Sequence, residues 1–106
     1  MQKQDDENLR ARLNRETAQI SWIELQKFYA AGNLVAVVPG LNLLDVAEAL
    51  HRDQVQQFQE WLSEGKVFTV GDSQAQQWFD RKTTHWAVVV APFVLVQEVV
   101  ESDKQN

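Results

Sequence analysis

The stretch Trp86-Ala-Val-Val-Val-Ala-Pro-Phe-Val-Leu-Val96 decides the fold class of this chain. It is apolar over eleven residues, well short of the roughly 20 residues that a membrane-spanning helix needs. Valine dominates the stretch and Pro92 interrupts it, which favours buried strand over helix. Successive strand residues point to opposite faces, and here both sets are apolar, so the segment should be covered on both sides. Two strands around Pro92 are favoured over one bent strand with a bulge, although the corner lacks the usual Gly or Asn.

The remaining elements follow from hydrophobic periodicity and from turn residues. Two further short strands are predicted from β-branched runs, the first of them stopped by Pro39-Gly40. Apolar residues at helical spacing predict four helices. The predicted order is α-α-β-α-β-α-β-β, which is an α+β fold with a small mixed sheet of three to four strands and about four helices. The predicted helices cover about Glu7–Gln19, Ser21 to Gly32, Leu43–Ser63 and a short segment after Asp72 or Ser73, and the first two strands cover Leu34–Val38 and Lys66–Val70.

Capping residues set the predicted helix ends. Ser21 and Glu24 have the capping-box spacing, as do Ser73 and Gln76, in which a serine oxygen accepts from the third helical amide. Asn42 is a suitable cap for the long helix. Glycine takes the left-handed conformation at helix ends without steric cost, so Gly32 and Gly65 should end their helices.

Length and composition indicate one ordinary globular domain. The chain has 106 residues, of which 44% are hydrophobic and 24% are charged. We predict a single domain over residues 7–100 between polar tails at 1–6 and 101–106. The first residues show no secretory signal pattern, so a cytoplasmic protein is expected. The net charge of −5 argues against nucleic acid and anionic membranes as partners.

Several blocks of the chain resemble a small bacterial protein family of unknown function. They are Leu13-Asn-Arg-Glu-Thr-Ala18 with Trp22 and Gly32, Leu41-Asn-Leu43, and Trp86-Ala-Val-Val-Val90 with Pro92 and Gln97. The likeness extends over about residues 9–97. It implies a bacterial origin and supplies no activity. The family often has Asp where this chain has Asn42; the two caps are equivalent, but Asn is neither an acid nor a metal ligand of the same kind.

One group of residues is a candidate binding site. His85 and Trp86 open the last strand segment, and loop-to-strand junctions often carry function. Gln97 lies within a valine-rich run, where a buried amide needs hydrogen bonds at both ends. It could close a network with Glu16 or Thr17 of the first helix, or it could mark the point at which the strand reaches solvent. Asp80 is an alternative acid for the same site.

Other chemistry has little support in the residues. The chain has no cysteine, which excludes thiolate metal sites and a cysteine nucleophile. No cluster of histidines and acids has metal-ligand spacing, and no glycine-rich phosphate loop is present, so neither a metal nor a cofactor is predicted. Arg10, Arg12 and Arg15 form one basic cluster. Because Glu16 lies four residues after Arg12, pairing within the helix is a simpler interpretation than a phosphate contact.

The sequence therefore predicts an interaction protein in preference to an enzyme. The leading hypothesis is a non-enzymatic module that forms a homodimer through its C-terminal strands, with Val94 and Val96 at the interface, because the valine-rich segment needs cover on two sides. The alternative is a small-molecule pocket, possibly enzymatic, around His85, Trp86 and Gln97. A cleft into which these groups converge would favour the pocket.

Overall fold

The computed structural model describes residues 2–100, with side chains described from residue 8 onward. Within that range it has five helices and five strands, so the α+β class is confirmed, while the predicted three to four strands and four helices are too few. The segment 101–106, predicted as a tail, lies outside the described residues. The elements are α1 (Gln2–Glu16), β1 (Ala18–Ser21), α2 (Trp22–Ala30), β2 (Leu34–Val37), α3 (Leu43–His51), α4 (Val55–Ser63), β3 (Val67–Thr69), α5 (Asp72–Arg81), β4 (Thr84–Val90) and β5 (Phe93–Glu98).

The five strands form one mixed sheet in the order β1-β4-β5-β2-β3. The β2–β5 pair is parallel and the other three pairs are antiparallel. The valine-rich segment is the β4–β5 hairpin, paired from Val90 with Phe93 to His85 with Glu98. Its corner contains a cis Ala91–Pro92 peptide bond. The two-strand interpretation of this segment is confirmed.

The first strand was not predicted. Residues Ala18–Ser21, interpreted as a helix end and a cap, form the edge strand β1 and pair with β4. The chain passes from β1 directly into α2, and the Trp22 backbone N–H donates to the carbonyl of Thr83 at 3.1 Å. Ser21 makes no side-chain capping bond, so the predicted capping box is wrong.

The predicted long helix is two helices, α3 and α4, separated by a left-handed turn. Asp53 has a φ of 57°, its N–H donates to the Leu50 carbonyl, and the Gln54 N–H donates to the Ala49 carbonyl. This is the hydrogen-bond pattern of a Schellman helix end, with aspartate at the position that glycine usually occupies. Neither Gly nor Pro marks the break, and the apolar residues keep their helical spacing across it. The sequence pattern therefore predicted a single helix.

Other helix ends agree with the sequence in part. Gly32 and Gly65 have φ values of 81° and 75°, which confirms both predicted stops. The cap Asn42 is also confirmed, since its side chain accepts from the Leu44 N–H at 2.8 Å. The start of α5 is different. Gly71 occupies its N-cap and no side-chain capping bond forms there, so the predicted Asp72 or Ser73 cap is wrong.

The helices lie on both faces of the sheet and form two separate hydrophobic cores. We call the side covered by α1, α3 and α4 the cleft face; its core contains Leu13, Val46, Val67, Val88 and Leu95. We call the side covered by α2 and α5 the aromatic face; its core contains Trp22, Leu25, Trp78, Val94 and Val96.

The position of the predicted interface residues is corrected by this packing. Val94 is 5% exposed and Val96 is 0% exposed within the single chain. They belong to the aromatic-face core beneath α2 and α5. The two-sided cover predicted for the Trp86–Val96 segment is therefore supplied at Val94 and Val96 by the chain's own helices, and these two side chains do not reach a surface on which a second copy could pack. On β4 the prediction is wrong, since Trp86 and Val89 are 39% and 57% exposed.

Candidate functional site

A cleft with a volume of about 490 Å³ opens on the cleft face. It lies where the end of α1, the loop from β2 to α3, the start of β4 and the end of β5 meet. Three predicted site residues, Thr17, Trp86 and Gln97, come together in it. Its lining consists of Asn14, Thr17, Pro39, Gly40, Leu41, Asn42, Leu43, Leu44, Trp86 and Gln97.

Gln97 positions one wall of this cleft. Its Nε2 donates to the carbonyl of Val38 at 2.8 Å and to the carbonyl of Leu41 at 2.5 Å. The two bonds tie the loop between β2 and α3 to the last strand of the sheet. The amide was expected to need partners, and both N–H donors have them. The predicted network with Glu16 or Thr17 is not formed; the partners are backbone carbonyls of the loop.

The other polar groups in the cleft are anchored while keeping hydrogen-bonding capacity. Thr17 Oγ1 donates to the Leu13 carbonyl at 2.7 Å, so its oxygen can still accept. The Asn42 side-chain oxygen caps α3 at the Leu44 N–H, which leaves its NH₂ group as a donor. Asn14 is exposed at the end of α1. The cleft thus offers both donors and acceptors on neutral side chains.

Trp86 supplies an aromatic surface to the same cleft. It is the cross-strand partner of Gln97, and 39% of its side chain is exposed. A half-exposed indole presents an apolar face and an N–H donor together, a combination enriched at binding surfaces.

Among the described residues, no ionisable side chain lines the cleft. None of the residues that surround it is His, Asp, Glu, Lys, Arg or Tyr. Thr17 is the single hydroxyl there, and no lining group can act as its base. General acid–base and nucleophilic catalysis both need a titratable or activated group within reach. The described lining offers neutral hydrogen-bonding groups and an aromatic ring.

His85 lies on the opposite side of the sheet from this cleft. Adjacent strand residues point to opposite faces, so His85 and Trp86, predicted as one site, are separated by the sheet itself. His85 is fully buried. Its ring meets Trp78 edge-on with centroids 4.3 Å apart, and the Trp22 ring is 6.4 Å away. Neither ring nitrogen has a hydrogen-bond partner among the described residues, and burial lowers the pKa of His85 to about 4.

The two predicted acids are also outside the cleft. Glu16 is exposed and lies 3.8 Å from Arg12 one turn earlier, which confirms the intrahelical pairing of that arginine. Arg10 forms ion pairs across to α3, at 2.8 Å to Asp45 and 3.1 Å to Glu48. Asp80 lies on α5 and accepts from Gln76 at 3.0 Å. The basic cluster on α1 is therefore in part bound to acids of the same chain.

Two kinds of feature are absent from the described part of the chain. No group of three or more His, Asp or Glu side chains in residues 8–100 is arranged to hold a metal ion. No helix in that range is long and apolar enough to cross a membrane.

Two lining residues were missed as site candidates from the sequence. Asn42 was interpreted as a helix cap alone, and Asn14 was not singled out. Asn14 lies on α1, three residues before Thr17, which directly follows the helix. This spacing was the available signal, since residues three apart on a helix are neighbours. The contribution of the Pro39–Leu41 loop has no local signal in the sequence, because it depends on hydrogen bonds from Gln97 of β5 to the loop that follows the neighbouring strand β2.

Comparison with known proteins places the chain in a family. It is similar to a protein from Pseudomonas aeruginosa, PA1075, whose structure was determined in solution by NMR. The two share 47% sequence identity with a TM-score of 0.79, over 90% of this chain and 88% of that one. Among curated proteins, no match is found. The model of a family described as a protein of unknown function (DUF2288) matches residues 8–98, and the chain therefore belongs to this family.

Proposed function

We propose that the protein is a non-enzymatic binding module whose cleft takes a small uncharged polar ligand. The observation that carries this proposal is the convergence of the Trp86 ring with four neutral polar side chains in one cleft, without any ionisable group. Those side chains are Asn14, Thr17, Asn42 and Gln97. A volume of about 490 Å³ falls in the range of roughly 300–1,000 Å³ that is usual for small-molecule sites.

The chemistry of the cleft selects the class of ligand. Amides and a hydroxyl pair with hydroxyl or amide groups of a ligand, while a charged ligand would lose hydration without gaining a counter-ion. The indole offers a flat apolar surface to the ligand's carbon skeleton. Sugars and blocked amino acids have this combination of polar edges and an apolar face.

The anchoring of the polar groups supports binding without large rearrangement. Gln97 and Asn42 are each held by a hydrogen bond to backbone, so less side-chain entropy is lost when a ligand is bound. The same bonds hold the loop that forms the wall.

The test is an NMR titration of the ¹⁵N-labelled chain with uncharged probes, N-acetylglucosamine and N-acetylglycinamide, and with acetate and ethylammonium as charged probes. We expect shifts of the Trp86 indole N–H and of the Asn14 and Asn42 side-chain amides with an uncharged probe. Trp86→Ala should weaken that binding by about tenfold, the effect of removing one well-packed aromatic contact.

The matched control is Val89→Ala, an exposed residue of the same strand that lies outside the cleft lining. It should leave the affinity unchanged. The proposal fails if the charged probes alone shift the cleft resonances, or if Trp86→Ala and Val89→Ala behave alike.

Self-association is a second candidate, supported by the edge of β4. Strand β1 pairs with β4 only from Ala18 opposite Ala87 to Ser21 opposite Thr84. Residues 88–90 therefore have no strand partner on that side within the described chain, and Val89 is 57% exposed. An open strand edge with an exposed valine is a template for pairing with another strand. The proposed contact is therefore at Val89 rather than at Val94 or Val96.

Sedimentation equilibrium at micromolar concentration tests this second candidate. A dimer that Val89→Lys converts to a folded monomer would support it. A strictly monomeric chain would end it, whatever the outcome for the cleft.

A further inference from the structure

A second groove, with a volume of about 540 Å³, runs between α2 and α5 on the aromatic face. Each helix contributes four residues to its lining, and three of the eight are aromatic. Phe79 is 49% exposed there, and Tyr29 is half-buried. The lining is Trp22, Gln26, Tyr29 and Ala30 of α2, and Asp72, Ala75, Gln76 and Phe79 of α5. This groove is separate from the cleft, so a ligand bound in it is independent of the proposed function.

Among the described residues, the Asp72 carboxylate is the only charged group that lines this groove. Its Oδ1 accepts a hydrogen bond from the Tyr29 hydroxyl, and no cationic side chain of the described residues pairs with it. This bond raises the pKa of Tyr29, because the phenol is favoured over a second negative charge beside the carboxylate. The carboxylate is thus held at the exposed first residue of α5, with no cationic side chain of the described residues beside it, in a protein of net charge −5.

Aromatic rings beside the Asp72 carboxylate, with which no cationic side chain of the described residues pairs, favour a ligand with a cation on an apolar stem. A guanidinium or ammonium gains from the carboxylate and from the faces of nearby rings, while its methylene groups cover apolar surface. The net negative charge of the chain adds long-range attraction for a basic partner. A neutral or acidic ligand would gain neither of these contributions.

The neutral groups of the groove distinguish a peptide from a free amine. The Gln26 side chain makes no hydrogen bond within the described chain. The Gln76 side chain uses only its NH₂ group, which donates to Asp80. The buried indole Nε1 of Trp22 also lacks an acceptor there. Amide side chains pair with peptide groups, which bring a donor and an acceptor at every residue. An alkylamine brings no acceptor.

We infer that the α2–α5 groove binds an extended segment of a partner polypeptide, with an arginine or lysine side chain at Asp72 and an apolar side chain at Phe79. Asp72 and Phe79 are seven residues apart on one helix, which corresponds to about 10 Å along its axis. A peptide extended in the polyproline II conformation rises about 3.1 Å per residue with three residues per turn, so residues three positions apart lie on the same side and about 9 Å apart. The basic and apolar residues of the partner should therefore be three positions apart.

The test is an NMR titration of the full chain, followed at the ring resonances of Tyr29 and Phe79. The probe is the blocked tetrapeptide Arg-Ala-Ala-Leu, and its neutral counterpart carries norleucine in place of arginine. We expect the neutral peptide to bind at least about tenfold more weakly, because it loses a charge-assisted pair. Asp72→Asn should cause a similar loss, since asparagine keeps an acceptor for Tyr29 but not the charge.

Asp80→Asn is the matched control, because it makes the same charge change on the same helix outside the groove lining. It should alter the affinity by less than about twofold, the size expected for a screened surface charge. Phe79→Ala should weaken the tetrapeptide by several-fold. Urea unfolding of each variant establishes that it is folded.

Three outcomes would overturn the inference. The first is no shift at Tyr29 or Phe79 up to about 5 mM tetrapeptide, which is weaker than any useful affinity. The second is equal affinity for the arginine and norleucine peptides, or equal losses in the two aspartate variants. The third is that agmatine, a guanidinium on a short alkylamine, binds as tightly as the peptide, which would assign the groove to free amines.

Discussion

On the cleft face Gln97 donates two hydrogen bonds to a loop, whereas on the aromatic face the His85 ring is buried with neither nitrogen bonded among the described residues. The two residues are on neighbouring strands, one position out of register, since His85 pairs with Glu98 and Trp86 pairs with Gln97. A buried polar atom without a partner costs free energy, whereas one with a partner contributes modestly to stability. The cleft face therefore has a polar side chain with its donors satisfied. The aromatic face has a buried histidine whose protonation at low pH should lower the free energy of unfolding.

The largest expected effect tests the core of the aromatic face. Val94→Lys places an unpaired charge beneath α2 and α5 and should lower the free energy of unfolding by about 4 kcal/mol or more, a large part of the total stability of a domain of this size. Its cross-strand partner gives the control, because Val89 is 57% exposed and Val89→Lys should cost no more than about 0.5 kcal/mol. Urea unfolding measures both. Equal losses would mean that α2 and α5 do not cover the hairpin.

The free energy of unfolding should depend on pH through His85 of the aromatic face. Its pKa in the folded chain is about 4, below the usual value of 6.5, so between these pH values the unfolded chain binds a proton that the folded chain does not. The free energy of unfolding should consequently fall as the pH decreases from 6.5 to 4, by on the order of 3 kcal/mol, and should not depend on this group above that window.

Urea unfolding at pH 7 and at pH 4.5 measures this loss. His85→Leu should flatten the pH dependence, which separates the histidine from carboxylates such as the neighbouring Glu98. His51→Gln, at an exposed histidine of α3, should leave the profile unchanged. A profile that is the same in His85→Leu and in the parent would show that His85 is not the titrating group.

The cleft face should respond to the loss of the Gln97 amide. Gln97→Leu leaves the Val38 and Leu41 carbonyls without their donor and should cost about 2 kcal/mol. Hydrogen exchange at Gly40 and Leu41 should become faster, because the loop is no longer tied to β5. Gln56→Leu, an exposed glutamine of α4, is the control and should change neither quantity. Unchanged exchange in Gln97→Leu would contradict the positioning role.

The smallest effect compares two predicted caps. Asn42→Ala removes the bond to the Leu44 N–H and should cost about 1 kcal/mol, whereas Asn42→Asp should be tolerated. Ser21→Ala should cost almost nothing, since Ser21 makes no side-chain capping bond. Thermal unfolding resolves the difference. A larger loss for Ser21→Ala than for Asn42→Ala would reverse the assignment of the caps.

These residues also show how far local signals extend. Gly32 and Gly65 marked two helix ends correctly because a left-handed turn favours glycine. The helix ends at Asp53 and Lys82 have the same left-handed conformation, with φ values of 57° and 54°. Neither residue type was enough to predict a helix end at these positions. Ser21 has the spacing of a cap, yet its neighbourhood is set by pairing with Thr84, a residue more than sixty positions away that no local pattern contains.

The candidate site was also predictable in part, where local sequence signals identified its residues. Thr17, Trp86 and Gln97 were selected from the sequence and share one cleft. His85 was grouped with Trp86 by adjacency in the chain, whereas strand geometry separates adjacent residues by the thickness of the sheet. Glu16 was a predicted hydrogen-bond partner of Gln97, but its side chain instead lies near Arg12 on the helix surface.

From residue order and composition alone came the α+β class, the hairpin around Pro92 and the cap at Asn42, because each depends on the preferences of residues close together in the chain. Tertiary structure decided that α2 and α5 bury Val94 and Val96, that the long helix breaks at Asp53, and that His85 and Trp86 serve opposite sides of the sheet. These features depend on which strands are neighbours, and strand pairing is selected by the free energy of burying both faces at once.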